Sequence, residues 1–93
     1  MEAVREETTV VNKLKEYFTV DISRGSKWGN PFKIGIHGSR EEVINRYEAW
    51  IRKQPHLLAS LPELVGHRLG CFCKPKACHG DVLIKLLREF LGA

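Results

Sequence analysis

The chain has 93 residues, 15 Lys and Arg against 11 Asp and Glu, a formal net charge of +4, and a composition that is 43% hydrophobic and 28% charged. This length bounds it to one small domain, 1–93, with a thin core, and the hydrophobic share excludes a disordered polyelectrolyte. No apolar run approaches the roughly 20 residues of a membrane span, and Met1–Val11 lacks the basic-then-apolar order of a secretory leader, so the expected setting is cytoplasmic, with thiols or metal ligands rather than disulfides.

Along the chain, Thr8–Leu14 is β-rich, and Phe18, Val20 and Ile22 alternate with Thr19, Asp21 and Ser23 as in a half-buried strand. The short Lys15–Tyr17 link between them suggests a hairpin. Residues 24–39, "RGSKWGNPFKIGIHGS", have four glycines, a proline and no helical period. A loop this long in a small domain is expected to be functional, and its Trp28, Phe32 and Ile34 argue that it is ordered.

Ser39 with Glu42 three residues later reads as a capping box. The helix it opens carries Val43, Ile44, Tyr47, Trp50 and Ile51 on one stripe, with Glu42–Arg46 and Glu48–Arg52 as i,i+4 pairs on its wet face. Pro55–Leu64, punctuated by two prolines, predicts one or two short helical turns. "HRLGCFC" then reads as a strand with Leu69, Cys71 and Cys73 on one face and Arg68, Gly70 and Phe72 on the other. The last helix, Asp81–Leu91, is expected to bury Leu83, Leu87, Phe90 and Leu91 and to stop at Gly92. The order strand, strand, helix, short helices, strand, helix predicts a small single-domain α/β sandwich with a short mixed or parallel sheet.

Residues 71–81, "CFCKPKACHGD", form a strand-to-helix turn that holds all three cysteines and one of four histidines. Cys78, His79, Gly80 and Asp81 fall at a helix start beyond the carboxyl end of a strand, where ligands bind in open α/β sheets and where a thiol is most easily ionised. Cys78 is the candidate nucleophile, with His79 or Asp81 as acid or base. A Cys₃His zinc set of Cys71, Cys73, Cys78 and His79 is the competing reading, but the spacing lacks the usual C-x₂₋₄-C knuckle, so no metal or cofactor is assigned. The plainer alternative is that Cys71 and Cys73 are small buried hydrophobes and Asp81 a helix cap. Gly80 in a first helical turn would be explained by close approach to a ligand.

The second candidate segment is Arg24–Phe32. No acid occurs between Asp21 and Glu41, where Arg24, Lys27, Lys33 and Arg40 lie, nor between Glu63 and Asp81, where Arg68, Lys74 and Lys76 lie. Arg24, Gly25, Ser26, Lys27, Trp28 and Asn30 could neutralise a phosphate, turn tightly around it and stack on a ring; alternatively, Trp28 and Phe32 merely pin the loop to the core.

"RGSKWGNPFKIG", "REEVI" and "LGCFCKPKACHGDVL" together resemble a family of small bacterial and phage proteins catalogued only as a domain of unknown function, over roughly Tyr17 to Leu91. The resemblance implies that the two segments above are the family's signatures, and no reaction. Ser23 stands where the family often has glycine. The residues themselves lead to an expectation of a pocket for an anionic small molecule, a nucleotide first, between loop 24–32 and helix start 78–81. Rival readings are a nucleic-acid-binding module using Arg68, Lys74, Lys76 and Trp28, with or without zinc, and a protein-interaction domain with no small ligand. Whether the chain is an enzyme is left open. No membrane partner is expected, and the thin core leaves room for a homodimer.

Overall fold

Three strands run in one direction: β1 over Thr9–Asn12, β2 over Val20–Asp21, and β3 over Arg68–Cys71, which lies between the other two. In this computed structural model, which describes residues 7–92, the register sets Val10 and Val20 level with Leu69, Val11 and Asp21 level with Gly70, and Asn12 level with Cys71. The fold is the expected α/β type with its element order, and the sheet is parallel throughout.

The hairpin expected at Lys15–Tyr17 does not form. After β1 the amides of Lys15 and Glu16 donate to the Asn12 carbonyl in one tight turn. The chain then returns across β3, held there by the Arg68 guanidinium on the Tyr17 carbonyl at 3.0 Å and by Phe18 against Gly70. It enters β2 at the opposite edge of the sheet. Gly70 makes this passage possible, since a Cβ there would come within 2.7 Å of the Phe18 ring. The physical reason for the miss is that alternation along a strand fixes which face is buried but says nothing about which strand lies beside it.

Helix α1, Arg40–Ile51, begins as its sequence predicts. The Ser39 hydroxyl accepts from the Glu42 amide at 3.2 Å, and the Glu42 carboxylate accepts from the Ser39 amide at 2.8 Å. Val43, Tyr47 and Ile51 are buried and Ile44 and Trp50 half-buried. Glu48 and Arg52 pair at 2.8 Å, whereas the Glu42 carboxylate is occupied by the cap. Helix α2, Pro55–Ser60, and the 3₁₀ turn Leu61–Leu64 supply Leu57, Leu61 and Leu64 to the core and lead the crossover back to β3.

Helix α3, Gly80–Leu91, ends at Gly92 in the left-handed conformation with φ 70°. It buries Val82, Leu83, Leu86 and Leu87, while Phe90 and Leu91 are 50% and 44% exposed. The expectation that these last two residues are core is therefore corrected: the final turn of α3 runs past the layer it packs on. Arg52 ties α1 to α3 through both oxygens of Glu89, at 2.7 and 2.9 Å. Among the described residues no helix is long and apolar enough to cross a membrane.

Candidate functional site

Loop 24–32 leaves the carboxyl end of β2 and the 71–79 turn leaves the carboxyl end of β3, so the parallel sheet delivers both to one edge. A cavity of about 190 Å³ lies between them. One wall is Ser23, Arg24, Asn30, Phe32 and Ile34; the other is Cys71, Phe72, Cys73, Ala77, Cys78 and His79; Arg40, Val43 and Ile44 of α1 close the third side. The lining holds two arginines and no carboxylate.

The loop is held by its own polar groups. The Asn30 amide nitrogen donates to the Val43 carbonyl at 3.2 Å and its oxygen accepts from the Phe32 amide at 2.9 Å. The Tyr47 hydroxyl donates to the Trp28 carbonyl at 2.8 Å. Trp28 itself is 2% exposed and belongs to the core, so its expected role as a stacking platform is corrected: in a thin core the indole is worth more buried. Lys27 turns away to pair with Glu63 at 3.0 Å, and Gly25, Ser26 and Lys27 do not reach the cavity. Of the loop's predicted ligand residues, the lining retains Arg24 and Asn30.

Arg24 donates to the Asn30 carbonyl and Arg40 to the Ala77 carbonyl, each at 3.1 Å. Each bond uses one of the five N–H groups of a guanidinium and leaves the rest for an occupant. Arg40 was noted in sequence only as one of the cations in an acid-free stretch; that stretch was the signal that could have found it. Phe32, Ile34 and Phe72 also join the lining; the sequence marks the first two as apolar residues that order the loop and Phe72 as facing away from Cys71, and none of the three as a ligand contact.

At the other wall, Cys71 and Cys78 are both buried, with Sγ atoms 3.1 Å apart. The Gly80 amide donates to Cys78 Sγ at 3.2 Å, and the Cys78 amide donates to Asp81 at 3.1 Å. These two bonds tie the turn to the first residues of α3, whose N-cap residue, His79, makes no side-chain capping bond. The anion position at its start is thus filled by a sulfur and a carboxylate, and Gly80 is absent from the lining, which corrects the expectation that backbone amides near Gly80 receive a phosphate. Gly80 instead lets the helix approach the sheet: a Cβ would lie 2.9 Å from Val10 and from Ile22. Asp81 also pairs with Lys74 at 2.8 Å and does not line the cavity, so its geometry is that of a cap rather than of an acid or base.

His79 is buried with Nε2 2.7 Å from the Ile22 carbonyl. A carbonyl only accepts, so Nε2 carries the proton and the neutral ring turns the Nδ1 lone pair toward Cys78 Sγ, 3.8 Å away. Burial holds the His79 pKa below its ordinary value. The S–H of Cys78 donates to Cys71, which lowers the Cys71 thiol to about 6 and, with burial, pushes Cys78 up. These directions run against the expectation that Cys78 is the most easily ionised cysteine: the hydrogen bond favours charge on Cys71, the sulfur that receives it, and burial disfavours charge on Cys78. Among the described residues, no group of three or more His, Cys, Asp or Glu side chains is arranged to hold a metal ion.

The chain is 43% identical over 85 residues to an uncharacterized 12.4 kDa protein from the nrdA-td intergenic region of Enterobacteria phage T4, covering 86% of this chain and 77% of that protein. It is 38% identical over 71 residues to uncharacterized protein R718 of Acanthamoeba polyphaga mimivirus, covering 68% of this chain and 54% of that one, about half its length. No solved structure matches. Residues 5–89 match the model of one family, and the chain belongs to it: the family described as a domain of unknown function, DUF4326.

Proposed function

We propose that the cavity binds a small anionic molecule, a phosphorylated one and a nucleotide first among these, with Arg24 and Arg40 as its charge contacts. The observation that carries this reading is the lining itself: guanidinium groups from two separate elements face one space that has no acid in it. A cavity free of carboxylates and bounded by Phe32, Ile34 and Phe72 suits a ligand with an anionic end and an apolar or aromatic body. Its volume of about 190 Å³ falls below the ~300–1,000 Å³ of pockets that enclose drug-sized ligands. It therefore takes one ring or one phosphorylated sugar, with the remainder of a larger ligand in solvent.

The nucleic-acid reading draws less support, because Trp28 is buried and two of its three cations are already paired, Lys74 with Asp81 and Arg68 with Glu16, which leaves Lys76. The test is titration calorimetry with the nucleoside monophosphates, with inorganic phosphate and with a single-stranded oligonucleotide. Arg24→Ala and Arg40→Ala should each weaken a monophosphate by about 10- to 100-fold, the equivalent of one charged hydrogen bond, with circular dichroism unchanged. Affinity that is indifferent to both substitutions, or that appears only for the oligonucleotide and falls steeply with salt, would overturn the pocket reading.

A further inference from the structure

The two sulfurs at the cavity wall are arranged for chemistry that anion binding does not use. Cys71 is the last residue of β3, and Cys78 lies two residues before α3 begins, held there by the Gly80 amide on its sulfur and by its own amide on Asp81. Their 3.1 Å separation is about 1 Å more than the ~2.05 Å of a disulfide bond. Both thiols are buried from bulk water but line the cavity, so a reagent reaches them by entering it. Backbone N–H groups of Lys74 and Cys73 favour the Cys71 thiolate, while at Cys78, the second sulfur, the Gly80 amide donates to Sγ and the His79 Nδ1 lone pair, set by the Nε2–H bond to the Ile22 carbonyl, faces the thiol.

We propose that Cys71 and Cys78 form a dithiol–disulfide couple that reduces a small disulfide admitted through the cavity. This activity needs the cavity to be open but does not depend on the anion reading. The Cys71 thiolate attacks one sulfur of R–S–S–R; a Cys71–S–S–R bond forms, the original S–S bond breaks, and the departing RS⁻ takes up a proton from water. Cys78 then passes its proton to His79 Nδ1 and attacks Cys71 Sγ. The Cys71–Cys78 bond forms, the S–S bond between Cys71 and the SR group breaks, and the second RS⁻ leaves and takes the proton from His79. Two thiols are oxidised to one disulfide and R–S–S–R is reduced to two RSH. The eight-residue span from Cys71 to Cys78 is closed in the oxidised form, and an external thiol returns it. The lowered Cys71 thiol agrees with its role as the attacking sulfur. Cys73, which is half-buried and also lines the cavity, meets Cys71 through its backbone amide, and its own thiol has no part in the couple.

The experiment is titration of the fully reduced wild-type protein with 2-hydroxyethyl disulfide, a small neutral probe, followed by alkylation, intact mass and peptide mapping. The expected product is two hydrogens lighter, carries a single alkyl group on Cys73, contains a Cys71–Cys78 linked peptide, and recovers three alkylation sites after dithiothreitol. Cys78→Ser should instead retain one hydroxyethyl-thiol adduct on Cys71. The proposal is overturned if Cys71 and Cys78 both stay open to alkylation, or if the mapped bridge includes Cys73. The wild-type result decides even if a cysteine variant fails to fold. Monophosphate titration of the wild-type protein separates the two readings: a bridge that forms in a protein without monophosphate affinity overturns the anion reading alone, and affinity without a bridge overturns the couple alone.

Discussion

His79 is enclosed by the edge of Tyr47 at 4.9 Å, by Cys78 and by the Ile22 carbonyl, and its charged form is opposed by burial above all and by Arg24, against the pull of the Ile22 and Trp28 carbonyls and of Asp81. Its folded pKa is therefore below the ordinary 6.5. The sign follows from linkage. As pH falls through about 6.5 the unfolded chain takes up a proton that the folded chain refuses, so the stability this group contributes is intact above that pH and is lost below it, toward the folded pKa. Urea unfolding followed from pH 7.5 to 5 should show a decline that starts near 6.5, with a slope of up to about 1.4 kcal/mol per pH unit from this one group. His79→Gln, whose amide can still donate to Ile22, should lose that component; a variant with the wild-type profile would assign the decline to other groups. Gly80 next to it shows what a sequence conveys about a single position. A glycine in a first helical turn is correctly read as a close approach, but the partner is decided by a strand some 70 positions earlier, where Val10 sits.

The helices were legible to different depths for reasons that lie in their ends. The capping box of α1 is a local device in which Ser39 and Glu42 satisfy each other's backbone amides, so the same four residues that predict the start also make it. The apolar period of α3 was equally clear, yet its core face was placed one turn too late, because a period identifies a stripe and cannot say where the neighbouring layer stops. Leu83 is fully buried and Phe90 is half exposed, although Phe90 is the larger side chain. Leu83→Ala should thus cost about 2–5 kcal/mol through lost transfer energy and a residual cavity. Phe90→Ala should cost no more than about 0.5 kcal/mol, as expected for a surface position. Denaturant midpoints at constant m-value check the ranking; a larger loss for Phe90→Ala would mean that this last turn is covered in solution by a second copy of the chain.

Strand pairing is the property least available from any local stretch, and here it decides both the topology and the site. Had β1 and β2 formed the expected hairpin, loop 24–32 would not be guaranteed a place beside the cysteine turn; with β2 parallel to β3, both segments must emerge at the same edge. The two motifs were visible in sequence, and their meeting was an expectation of the fold, while the identity of the lining was not: Trp28 and Lys27 were drawn away by core burial and by Glu63, and Arg40 was brought in by the helix that follows. The passage of residues 13–19 across β3 can be tested through its tightest contact. Gly70→Ala places a methyl 2.7 to 3.0 Å from Phe18 Cγ, Cδ2 and Cβ and should destabilise by about 1–3 kcal/mol through overpacking. Phe18→Ala removes the obstacle and should also destabilise alone, since the ring covers that face of the sheet. In the double variant the added methyl fills space that the ring has left, so its cost should fall to near zero or reverse, giving a coupling energy of about 1 kcal/mol or more. Additive effects would place Phe18 away from Gly70, and with it would fall the return of the chain over β3 that brings β2 to the far edge.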